Sequence, residues 1–127
     1  MDVAPPALAR RVREIADEGM LPPWDTWFGR GAIDALINVP GLQATFKADL
    51  PRLPLAYLEA SAPLGEAWRQ IAAAYLQLSE GYGAEADEAK KLGWIVRRAR
   101  GSHLAILTHP DRVAHMLLEM ALGLADA

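Results

Sequence analysis

The order of apolar and polar positions divides the chain into two stretches of different grammar, with the change between residues 60 and 70. In the first, apolar positions recur at helical spacing and prolines interrupt them. Pro5 and Pro6 open a predicted helix with apolar positions at Leu8, Val12, Ile15 and Ala16, and Gly19 is placed to close it. Its polar face carries Arg10, Arg13, Glu14 and Asp17. From Met20 to Gly29 the chain holds two prolines and the aromatics Trp24, Trp27 and Phe28, which predicts a loop or broken turn with a large apolar load. Short helices are predicted at about 31–37 and 41–50, the second with Leu42, Phe46 and Leu50 at four-residue intervals. Pro51 and Pro54 break the chain before Leu55-Ala56-Tyr57-Leu58, which reads as another helical turn or two. Ser61-Ala62-Pro63-Leu64-Gly65 is the expected linker.

The second stretch changes period. Ile71 to Leu78 is a mostly apolar run closed by Ser79-Glu80-Gly81-Tyr82-Gly83, which fits a buried strand best, although its alanines leave a helix open. Ala84 to Leu92 places Glu85, Asp87 and Glu88 before Lys90 and Lys91, the order a helix dipole favours, and Gly93 stops it. Trp94-Ile95-Val96 reads as a second strand running toward Arg100-Gly101. The last helix is expected to open at Thr108-His109-Pro110-Asp111, with the threonine as cap, and to bury Val113, Met116, Leu117 and Met120. Strand, helix, strand and helix in this order predict a parallel crossover unit.

Composition narrows the function classes. With 127 residues, 52% hydrophobic and 23% charged, the chain is expected to be one folded domain that buries about 65% of its unfolded surface. A net charge of −3 gives no footprint for nucleic acid, since Arg10-Arg11-Arg13 and Arg97-Arg98-Arg100 sit among acids. No apolar run reaches the roughly 20 residues of a membrane span, and the first residues lack the regions of a signal peptide. A cytoplasmic location is therefore expected. The lack of cysteine excludes disulfides and a thiol nucleophile. His103, His109 and His115 have no convergent spacing, so neither a metal nor a cofactor is expected.

Tyr75-Leu76-Gln77-Leu78-Ser79, the short helix, Gly93-Trp94-Ile95-Val96, Gly101-Ser102-His103-Leu104-Ala105 and Pro110-Asp111-Arg112-Val113-Ala114 together resemble the C-terminal end of α/β hydrolases. In that family the last two sheet strands flank a helix, and the loop after the final strand delivers the catalytic histidine. The resemblance implies that His103 takes the general-base position. The first stretch resembles the helical cap of such enzymes, particularly bacterial forms with an "LPPW...WF" element, and this implies Met20, Trp24, Trp27 and Phe28 as a ligand-lining set. A small helical core is the competing reading of the same aromatics. The implied fold is α/β and predominantly helical, with a cap-like region over 1–62 and a β-α-β-α region over 70–127. Trp68 and Trp94 are expected in the core.

The departures from the family carry as much information. Its nucleophile sits in Gly-x-Ser-x-Gly beside an oxyanion hole, and neither Ser61, Ser79 nor Ser102 has that framing. Ser102 is a poor partner for the adjacent His103, because neighbouring strand residues point to opposite sides. The family's acid has its weak counterpart in Glu80, and Tyr82 falls about where an aspartate belongs. His109 and His115 read as structural, and the arginines at 97, 98 and 100 as a solvated strand edge that discourages aggregation.

Two parallel strands alone leave open edges, so a homodimer or a complementary N-terminal half chain is expected. The expected function is that of a truncated α/β-hydrolase-like protein, without serine-hydrolase activity of its own, that binds an apolar small molecule or a partner. The alternative is an enzyme, either a hydrolase completed by a second chain or a cyclase or isomerase, with His103 as general acid or base. A piece of a longer hydrolase remains a third reading.

Overall fold

The computed structural model describes residues 4–29, 31–63 and 65–125. It is a mixed α/β protein, mostly helical, with one small parallel sheet. The chain falls into two compact units, Met1–Leu64 and Gly65–Ala127.

The first unit is built on α1 (Pro6–Ile15), α2 (Pro40–Ala48) and α3 (Leu55–Glu59). Its core gathers Val12, Leu21 and Trp27, all nearly inaccessible, with Leu8, Ile15, Trp24, Leu53 and Leu58 packed around them. The Trp27 indole N–H donates to the Pro22 carbonyl at 2.8 Å, which satisfies the ring's single polar group inside the core. Arg11 on α1 donates through Nη2 to the Trp27 carbonyl at 3.0 Å, which ties the backbone of the aromatic loop to the helix. The predicted helix over 31–37 is a run of turns instead, with Ala35 N–H bonded to the Gly31 carbonyl and Ile37 N–H to that of Ile33.

Gly19 has a different task from the one expected of it. α1 ends at Ile15, and Asp17 and Met20 then exchange both backbone hydrogen bonds, at 2.9 and 2.8 Å. Between them Glu18 and Gly19 both have positive φ, +48° and +75°. That is the two-residue hairpin turn whose twist matches strand-like flanks, and it favours Asn-Gly. The turn hands the chain to Leu21, whose N–H donates to the Leu53 carbonyl at 2.7 Å.

In the second unit β1 (Ala74–Gln77) and β2 (Ile95–Arg98) run parallel, Ala74 beside Ile95 and Gln77 beside Arg98. Between them lies α4 (Gly83–Lys91); α5 (Ala105–Thr108) and α6 (Pro110–Ala125) follow. α4 closes in a Schellman motif: Trp94 N–H donates to the Ala89 carbonyl, Gly93 N–H to that of Lys90, and Gly93 supplies the required positive φ of +81°. Ala86 and Ala89 are the buried positions of α4, and their small size lets the helix lie close to the sheet.

The register decides which residues share a face. Tyr75, Gln77, Val96 and Arg98 lie on one side, where Arg98 pairs with Asp87 of α4. Leu76, Ile95 and Arg97 lie on the other, where Arg97 pairs with Glu119 of α6. One helix thus covers each face.

Several expectations change here. α6 buries Val113, Met116 and Met120, but Leu117 is 49% exposed because it lies off that stripe. Thr108 ends α5, where its hydroxyl donates to the Leu104 carbonyl at 3.2 Å, and α6 begins at Pro110, so His109 rather than Thr108 stands immediately before that helix. Trp68 and Trp94 are half-buried and meet edge to face, centroids 6.0 Å apart, rather than entering the core.

Candidate functional site

Parallel strands deliver their following loops to one end of the sheet, and in α/β folds ligands sit there. Leu78 to Tyr82 leave β1 at this end, and Ala99 to Leu104 leave β2 beside them. Glu80–Tyr82 form a 3-10 turn that runs directly into α4. Gly101 brings the second loop close to the Leu78 carbonyl, with a contact of 3.5 Å for a hypothetical Cβ.

The second loop is held by its own serine. Ser102 Oγ accepts the Leu104 N–H at 3.0 Å, and the Ser102 carbonyl accepts the Ala105 N–H at 2.9 Å, so the chain turns sharply into α5. His103 is displayed at the outside of that turn and is exposed. Its ring stacks on Tyr82 from the neighbouring loop, with centroids 4.5 Å apart and planes inclined by 21°.

The imidazole has no hydrogen-bond or ion-pair partner among the described residues. Glu80 is exposed at the start of the 3-10 turn and makes no bond to His103, so the two weakly matched triad positions are not brought together. A working base needs a nucleophile within roughly 2.6–3.2 Å and an acid that orients its ring. Ser102, the serine nearest in sequence, uses its oxygen as the acceptor that shapes the loop. The arrangement therefore presents an accessible proton carrier on an aromatic support, without the parts that would activate a hydroxyl.

Two residues near this end were not singled out by sequence reasoning. Tyr75 and Gln77 alternate on β1 and face α4 together. Burial pushes the Tyr75 phenol above its ordinary pKa, and the Glu85 carboxylate and Tyr82 push it further. Gln77 is 6% exposed; its Nε2 donates to the Ser79 carbonyl at 2.9 Å while its Oε1 is buried without a partner. The only sequence signal for the pair was polar atoms two residues apart inside an apolar run.

The expected ligand-lining set lies in the first unit and is divided in its roles. Trp27 is a core residue. Trp24 is half-buried, edge to face with Phe28 at 5.9 Å and Phe46 at 6.2 Å. Phe28 is 51% exposed, and Met20 is held by backbone bridges to Asp17 and Pro54. A cleft of about 330 Å³ in this unit has mixed polar and apolar walls, with Asp25, Thr26, Ile33, Asp34 and Lys47 among its lining residues. His109 receives or donates a hydrogen bond with Thr108 Oγ1, and His115 lies 3.3 Å from Glu119, both on the exterior. No group of His, Asp and Glu among the described residues could hold a metal ion. No helix among them is long and apolar enough to cross a membrane.

Comparison of the chain with known protein families, with curated proteins and with solved structures finds no match.

Proposed function

We propose that the chain is a hydrolase-like half fold without serine-hydrolase chemistry, serving as a binding protein for an apolar small molecule or a partner chain. The observation that carries this reading is the stacking of His103 on Tyr82, at the position where the resembling enzymes place an acid. A phenol there supports the imidazole ring by its face and cannot stabilise an imidazolium as a carboxylate does. The paired loops then offer an aromatic surface at the end of the sheet, with Tyr82 38% exposed.

A second reading keeps His103 as a general acid or base for a reaction without a covalent serine, such as an isomerisation or cyclisation. Its support is the ring's exposure and its lack of other partners. Turnover of an activated aryl ester by the full chain separates the readings from a retained hydrolase. The expected rate is linear in substrate, no faster than free imidazole at equal concentration. Saturable turnover that disappears in His103→Ala would overturn the proposal.

A further inference from the structure

We draw no further inference here: the strongest candidate, the surface patch of Leu117, Leu118 and Leu122 on the exposed flank of α6 together with the outer edge of β1, carries none, because nothing in the structure shows what covers it.

Discussion

The two units solve the problem of a small core in opposite ways. The first draws an irregular loop inward: Trp27 enters the core, its indole is satisfied by Pro22, and Arg11 fastens its backbone to α1. The second depends on a sheet ladder and one helix per face, and its largest aromatics stay half-buried or exposed. A unit closed on its own side chains has little left to offer another molecule. A unit closed by a two-stranded ladder keeps a loop pair available at the end of its strands, and that is where the candidate site lies.

The sharpest break in the comparison is Trp27→Ala. It should cost about 3–5 kcal/mol by urea unfolding, because it empties the core and leaves the Pro22 carbonyl without its indole donor. The matching change in the second unit is Ala86→Leu, which forces extra volume between α4 and the sheet at a fully buried position. It should cost about 1–3 kcal/mol in the same measurement, with the β1 and β2 amides exchanging faster.

A smaller effect of opposite sign is expected at the hairpin turn. Glu18→Asn places a residue tolerant of positive φ in front of Gly19 and should raise stability by about 0.5–1 kcal/mol in the urea midpoint. The smallest effect is confined to alkaline pH. Tyr75 holds its proton above the ordinary value of 10.0, so the unfolded chain releases that proton first. Stability is then unaffected below about pH 10 and falls as pH rises through the folded value. In an absorbance titration Tyr75 should be the late-titrating phenol, and Tyr75→Phe should remove both the late step and its share of the alkaline loss.

Much of the second unit was legible because its signals are local. Acid-first, lysine-last ordering and Gly93 mark α4, and the apolar run before Ser79 marks β1, shortened by Ile71 to Ala73. In the first unit Gly19 follows an apolar periodicity and looks like a helix stop; tertiary pairing of Leu21 with Leu53 makes it a hairpin glycine instead. Leu117 differs from its expected burial for a related reason: α6 carries two adjacent apolar stripes, and periodicity alone does not say which one faces the sheet. At the site, His103 and the oddity of Tyr82 were visible in the chain, but their stacking depends on two loops meeting across the sheet end.

The central claim is that no serine of this chain is activated as a nucleophile. Its most direct test is intact-mass spectrometry after prolonged incubation with a fluorophosphonate, which traps an activated serine irrespective of substrate. The account predicts an unchanged mass. A single phosphonyl adduct on Ser61, Ser79 or Ser102, lost in His103→Ala, would contradict it.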